Sequence, residues 1–412
     1  MFSDGEIRFS GHDLFFLWVG LATSLLDLGT DAWVAHSLCL AGDDLWGTAV
    51  VGLVALCSAV VQLFSWVWFA GDRKQLGSLT QSGLLPKLKS APGVRVLGLL
   101  HWLQMGLLVR YINALELGFQ MYKEKDTMGL QYAIYLSCDI SMLRLFESIL
   151  ENTPQLTLML YIIMKKNQIE IYQYFSFAAS FLSIAWAVLD FHQSLRASLS
   201  DKMSLQFKSI VPYFLCNLLL IFPRIVSIAL FATVFKQYVF FHFAIIWLSM
   251  FFWVWQQGTS FMNNFPEEVF YRGMVGVILY FTWLNISEGR TLIRQIIYHS
   301  FMAVDCGILV GFWWLHRDPI LSAPYTVQLL VGTSSSYLVG VIVKCVYYKY
   351  FHPFVTEHMP SLDETDSLQE DGFQSMCKRP LINKRMEILS NSFYSLPPEE
   401  KGFITKVEET KI

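Results

Sequence analysis

The sequence predicts an all-α polytopic membrane protein, and three observations carry that prediction. Of 412 residues, 54% are hydrophobic, 16% aromatic and only 15% charged, against about 25% charged in an ordinary soluble domain. The apolar residues gather in ten runs, most of them near the ~20 residues a helix needs to cross a bilayer. The charges crowd the stretches between those runs and the part of the chain after Tyr350. With a formal net charge of −3 confined largely to loops and tail, nucleic-acid binding has no basis.

In chain order the runs are 14–38, 44–70, 96–118, 131–163, 172–195, 209–235, 238–257, 273–286, 295–316 and 326–348. Residues 1–13 are polar and of mixed charge, and the run after them is too long for a signal-peptide core, so a retained signal anchor is expected. Two runs are poor candidates for crossing. The one from Val96 contains His101 and Gln104 and stops at Arg110; the one from Gly273 to Ile286 is bracketed by Arg272 and Glu288. Short interrupted runs of this kind mark re-entrant elements.

Loop charge tests the two topologies, because Lys and Arg in short loops favour the cytosolic side. If all ten runs cross, eleven Lys and Arg fall inside and seven outside. If the two short runs dip in and return, fourteen fall inside and four (Lys165, Lys166, Lys236, Arg317) outside. The second bias is stronger, so eight transmembrane helices plus two re-entrant membrane-inserted elements are expected, with both termini cytosolic. The segments 14–195 and 209–350 then read alike, as two parallel pseudo-repeats starting on the same side. FSWVW (64–68) and FFWVW (251–255) echo one another at the end of each half's second span. By itself that match is better accounted for by chance or an interfacial aromatic belt than by a repeat.

From 351 to 412 the composition turns to Pro, Ser, Asp, Glu and Lys, as in a cytosolic regulatory tail. Within it Ile382, Met386, Leu389, Phe393 and Leu396 recur at steps of 4, 3, 4 and 3. That is one face of a cytosolic C-terminal amphipathic helix of about four turns, which needs a docking surface to be stable. Pro397 and Pro398 end it.

The polar residues inside the apolar runs carry the functional signal. DISMLRLFESILENTPQLTLML, from Asp139 to Leu160, contains Asp139, Arg144, Glu147 and Glu151, with Pro154 following. At about 100° per residue, Arg144, Glu147 and Glu151 fall within roughly 60° of one another, and Asp139 lies about 80° from Glu147. The first run places Thr23, Asp27 and Asp31 at i, i+4 and i+8; later runs add Asp190, Arg224 and Asp305. Nine charges at about 2.5 to 3.5 kcal/mol each would cost on the order of 25 kcal/mol if they faced lipid at mid-bilayer. Two readings remain open: an ion-pair network that fixes helix register, or a polar track for protons, solutes or headgroups. Arg144 with Glu147 or Glu151 suits the first. Asp27 and Asp31, with no cation in their own helix, suit the second.

The sequence has no Walker loop, HExxH or GxSxG, which argues against an ATP-driven pump or a hydrolase. No enzymatic activity and no cofactor are expected. Its seven cysteines (39, 57, 138, 216, 306, 345 and 377) lack CxxC or His-paired spacing and give no metal or disulfide framework.

LLDLGTD (25–31), QLFSW (62–66), DISMLRLFE (139–147), ENTPQL (151–156), WAVLD (186–190), LLLIFPR (218–224) and VYYKYFHP (346–353) resemble the XK-related family. The resemblance runs from about 13 to 353 and points within that family to the caspase-activated phospholipid scramblases of the plasma membrane. It implies energy-independent exchange of phospholipids between leaflets during apoptosis, exposing phosphatidylserine, with membrane phospholipids and an executioner caspase as partners. It implies eight spans with two membrane-inserted elements. It also implies a track of intramembrane charges, which by position are Asp13, Asp27, Asp31, Asp139, Arg144, Glu147, Glu151, Asp190, Arg224 and Asp305. Trp46 sits where a family tryptophan guards the outer end of that path. The caspase-activated members pair with a basigin-type single-span immunoglobulin chaperone.

In the tail, Asp363-Glu364-Thr365-Asp366 before Ser367 reads as an executioner-caspase site with cleavage after Asp366. The amphipathic helix follows it and resembles the family's inhibitory element, so one cut would release that helix. Two other classes stay open on the residues alone: a solute or cation transporter using the same acids, and a membrane scaffold without transport. The sequon Asn285-Ile286-Ser287 falls on the cytosolic side of this topology, so no glycan is expected there.

Overall fold

The computed structural model describes residues 11–81, 94–123, 127–198, 205, 207–259, 261–262, 264–286 and 291–351. The caspase site and the inhibitory helix, from Asp363 to Leu396, lie outside the described residues, as does Ser287 of the sequon. Those described form an all-helical bundle without strands. Seven helices are long and apolar enough to cross a membrane: α1 (Gly11–Leu40), α2 (Asp44–Gln81, apolar through Asp72), α7 (Ile171–Ser198), α8 (Phe207–Val234), α9 (Tyr238–Gln257), α11 (Thr291–His316) and α12 (Pro319–Val346). The other helices are α3 (Val94–Trp102), α4 (Gly106–Lys123), α5 (Thr127–Leu150), α6 (Asn152–Lys166) and α10 (Phe265–Phe281). A π-helical turn, Tyr347–Phe351, closes the described chain.

The run 131–163 is two helices meeting at Glu151, and the break lies three residues before Pro154. A proline has no N–H to give the carbonyl four residues back and its ring crowds that carbonyl, which here belongs to Leu150. The Cys57 thiol on α2 donates to that carbonyl oxygen at 3.1 Å, filling the vacancy from another helix. From Cys138 to Ile149, α5 is buried on nearly every side, with Leu143, Leu145, Phe146 and Ile149 wholly covered. A helix covered on all sides, its polar side chains included, sits inside the bundle, and α5 packs against α7, α4, α2 and α10.

The run 96–118 is likewise two helices. Between α3 and α4, Gln104 adopts a left-handed backbone (φ 65°), uncommon for a residue with a side chain. Polar groups on α2 hold it there: Gln62 Nε2 donates to the Gln104 carbonyl at 3.1 Å and Ser58 Oγ to its side-chain oxygen at 2.6 Å. Gln62 Oε1 accepts from the Gly106 N–H at 3.0 Å, covering an otherwise orphaned donor at the start of α4.

The run 273–286 is also placed differently from its apolar limits. Helix α10 begins eight residues earlier than Gly273, at Phe265, and ends at Phe281; residues 283–286 lack regular structure. Its charged start is locally neutralised. Glu268 receives the Met262 N–H at 2.7 Å and the Thr259 hydroxyl, while Arg272 reaches Glu268 at 3.3 Å and Trp255 at 4.8 Å from its ring centre.

Outside, large apolar side chains are bare. Phe240, Phe241 and Phe252 on α9 and Val327, Val331 and Leu338 on α12 are all exposed. A contiguous apolar exterior of this kind suits hydrocarbon rather than water.

Candidate functional site

Helices α1, α5, α6 and α7 bring one set of polar side chains together, with Arg144 of α5 at its centre. Its guanidinium donates to Glu147 Oε2 at 2.6 Å and to Ser183 Oγ on α7 at 3.0 Å, and lies 3.9 Å from Asp27 Oδ2 on α1. Asp27 Oδ2 also accepts from Asn152 Nδ2 at 2.8 Å and from Ser183 Oγ at 3.3 Å. One turn along α1, Asp31 Oδ1 accepts from Gln155 Nε2 at 2.5 Å. Glu151, at the kink between α5 and α6, is close enough to Asp31 for the two carboxyl groups to influence one another. Two carboxyl groups, those of Glu147 and Asp27, therefore meet one guanidinium, and those of Asp31 and Glu151 adjoin them along the same stripe. The Arg144 and Asp27 side chains are 3% and 5% exposed, whereas Glu147 is 22% exposed and opens the cluster to its surroundings.

The sequence pattern placed Arg144, Glu147 and Glu151 on one face and Asp27 with Asp31 on another; the structure joins the two faces. It also adds residues that spacing of charges missed. Asn152 and Gln155, inside ENTPQL, supply an amide to each aspartate. They follow Ser148 at i+4 and i+7, a helical spacing that a search for polar rather than charged residues would have found.

The remaining track residues divide. Asp190 is buried on α7 within the field of Arg144. With half-buried Asp13 it lines a partly open cavity of about 390 Å³ including its open mouth, together with Ser137, Gln193 and Ser194. The buried Tyr111 hydroxyl stands between, in the field of Arg144, Glu147 and Asp190. Asp139 turns the other way, to Arg110 of α4 at 3.6 Å. Arg110 in turn donates to the Ser65 hydroxyl and carbonyl, each at 2.7 Å, so the arginine that interrupts an apolar run is the cation Asp139 needs.

Arg224 and Asp305 form a separate cluster in the second half. Their side chains are ion-paired; Arg224 Nε donates to the Tyr280 carbonyl at 2.9 Å, and His242 Nε2 lies 3.1 Å from both Asp305 oxygens. Near the α1–α2 turn, half-buried Trp46 packs on Tyr161 of α6 at 5.8 Å between ring centres, beside the Lys166–Asp43 ion pair. That satellite core includes Val34, Leu38, Val50 and Met159, and it caps the end of α1 towards which the aspartate stripe runs.

The family model described as XK-related protein matches residues 15–353. Three similar proteins, each named XK-related protein 8, come from Gasterosteus aculeatus, Tetraodon nigroviridis and Pan troglodytes. The first is 40% identical over 397 residues, covering 94% of this chain and 98% of the relative. The second is 40% identical over 408 residues (94% and 97%), and the third 39% over 402 residues (96% and 97%). The chain belongs to the XK-related family.

Proposed function

We propose that this chain is a caspase-activated, ATP-independent phospholipid scramblase of the plasma membrane that exposes phosphatidylserine on apoptotic cells. The observation that carries the reading is the Arg144 cluster: one guanidinium paired with Glu147 and Asp27, with Asp31 and Glu151 continuing the acidic stripe, opened at Glu147. Flip-flop is slow because a charged headgroup must leave water for hydrocarbon. A polar stripe lowers that cost while the acyl chains stay in the bilayer. Surplus carboxylates along it would meet headgroup amine or choline, and Arg144 the phosphate. Asp13 and Asp190 extend the stripe through their cavity, and Trp46 guards the outer end.

In this reading the seven long apolar helices cross the bilayer and α5 with α6 makes an eighth, kinked crossing. Nine-residue α3, roughly 14 Å long, spans about half the hydrocarbon; α3 with α4, and α10 with residues 282–286, are the re-entrant elements. Both termini are cytosolic. The tail helix docks on the cytosolic face until cleavage after Asp366 frees it, a population shift caused by loss of a bound segment. A basigin-type chaperone is the proposed partner for reaching the cell surface.

Purified protein in liposomes tests this. Full-length protein leaves dithionite reduction of labelled lipid at the outer-leaflet half, caspase-cut protein carries it beyond half, and Asp366→Ala stays at half after caspase. Cation or solute uptake without lipid exchange would replace the reading with a transporter using the same acids, which the Asp13–Asp190 cavity favours. A protein showing neither activity would be a scaffold.

A further inference from the structure

A second cavity, of about 410 Å³ including its open mouth, lies in the second half among α8, α11, α12 and the segment after α10. It is lined by Arg224, Lys344, His299, Thr282 and Trp283 among others. Its charge is unbalanced. Arg224 is matched by Asp305, but Lys344 has no carboxylate partner among the described residues. Lys344 Nζ meets His299 Nε2 at 2.6 Å; with the Gln295 amide oriented to place its oxygen toward the donors, Nζ also donates there at 3.3 Å. Both partners are uncharged acceptors: an ammonium can share a hydrogen with an imidazole only when the ring nitrogen is bare. A second group is also unmet. Arg224 is 3% exposed and its Nη2 has no hydrogen-bond acceptor, although the residue borders the cavity.

We propose that this cavity is a binding site for a phosphate group, with Arg224 Nη2 and Lys344 Nζ as its charged donors. A buried ammonium without a counter-ion and a buried guanidinium N–H without an acceptor are each costly. A single oxyanion satisfies both, and tetrahedral phosphate presents several acceptor oxygens to donors arriving from different helices. The mouth leaves the phosphate two sources, a lipid phosphodiester or free phosphate. The site rests on the scramblase reading only for the first of these.

Binding to the full chain in detergent tests it, by thermal shift and by titration against a gluconate background of constant ionic strength. The probes are inorganic phosphate, dihexanoyl phosphatidylserine and dihexanoyl glycerol. We expect saturable stabilisation by one or both phosphate-bearing probes and none by the glycerol. A response to the lipid alone assigns a headgroup; a response to inorganic phosphate alone assigns a free ion. Lys344→Met should weaken binding on the order of tenfold, the worth of one charge-assisted hydrogen bond, and Lys344→Arg should restore most of it. The proposal fails if dihexanoyl glycerol stabilises the wild type as well as the phospholipid does, if no phosphate-bearing probe binds, or if Lys344→Met binds like wild type. Binding is read without lipid exchange, so loss of the site and loss of scrambling are distinguishable.

Discussion

Replacing Arg144 by Met removes the only cation that the described residues place in the first cluster while keeping much of the side chain's length. Three contacts go: 2.6 Å to Glu147, 3.0 Å to Ser183 and 3.9 Å to Asp27. Breaking a buried ion pair by deleting one partner costs about 3–5 kcal/mol, because the other charge stays buried. Here the two stranded carboxylates differ. Glu147 is 22% exposed and can be hydrated, while Asp27 is 5% exposed and keeps only the Asn152 amide and Ser183. The loss should therefore sit near the lower end, about 3 kcal/mol, and be dominated by Asp27. Equilibrium unfolding of the monodisperse protein in mixed micelles measures it. Adding Asp27→Asn to Arg144→Met should recover more stability than adding Glu147→Gln. A single mutant within about 0.5 kcal/mol of wild type, or a larger recovery from Glu147→Gln, refutes the assignment of Arg144 as the counter-ion of Asp27.

Two further substitutions probe the breaks that shape the cluster. Cys57→Ala should destabilise by about 1 kcal/mol by orphaning the Leu150 carbonyl, Cys57→Ser should be close to neutral, and in a Pro154→Ala background the Cys57→Ala penalty should vanish, since an alanine N–H can serve that oxygen; the same unfolding measurement reads all three. A Cβ on Gly106 would fall 2.3 Å from Gln62 Oε1 and 2.5 Å from His101, so Gly106→Ala should displace the α3–α4 junction and cost about 1–3 kcal/mol, seen as a lower midpoint and faster proteolysis.

How much of this was legible in the sequence depends on the range of the interaction. Helix content and the ionisable face of α5 follow from local periodicity, and both reappear in the structure, whereas the division of 96–118 at Gln104 was not anticipated. The start of α10 did not follow either, because Arg272 reads as a boundary when only composition is counted. The charges of Glu268 and Arg272 are absorbed by Thr259, Met262 and Trp255, contacts that exist only once the preceding segment folds back. The pairings of the site were still less accessible. Asn152 reaches Asp27 across 125 residues, Gln155 reaches Asp31 across 124, and Arg224 reaches Asp305 across 81. No spacing rule covers such separations. The composition nevertheless recorded the shortage of cations around Asp27 and Asp31, and two neutral amides and a serine make up part of it.

That partial satisfaction bears on whether the first cluster is a closed structural core. Buried polar atoms in a finished core are nearly all paired, yet Asp27 Oδ1 is buried without a donor. Asn152 and Gln155 each use an amide nitrogen on an aspartate while their own amide oxygens stay unmet. These acceptors share one need, a mobile donor or cation, and Glu147 is the side on which one could enter. The second half has the opposite deficit, an unmet donor on Arg224 and an ammonium on Lys344 held by neutral groups. A zwitterionic headgroup carries an ammonium and a phosphate on one short chain, and it would complement acceptors in one half and donors in the other. An inorganic cation would answer only the first. Under the proposed function, lipid exchange would account for both imbalances, and loss of phosphate binding in Lys344→Met with full scrambling retained would separate them again.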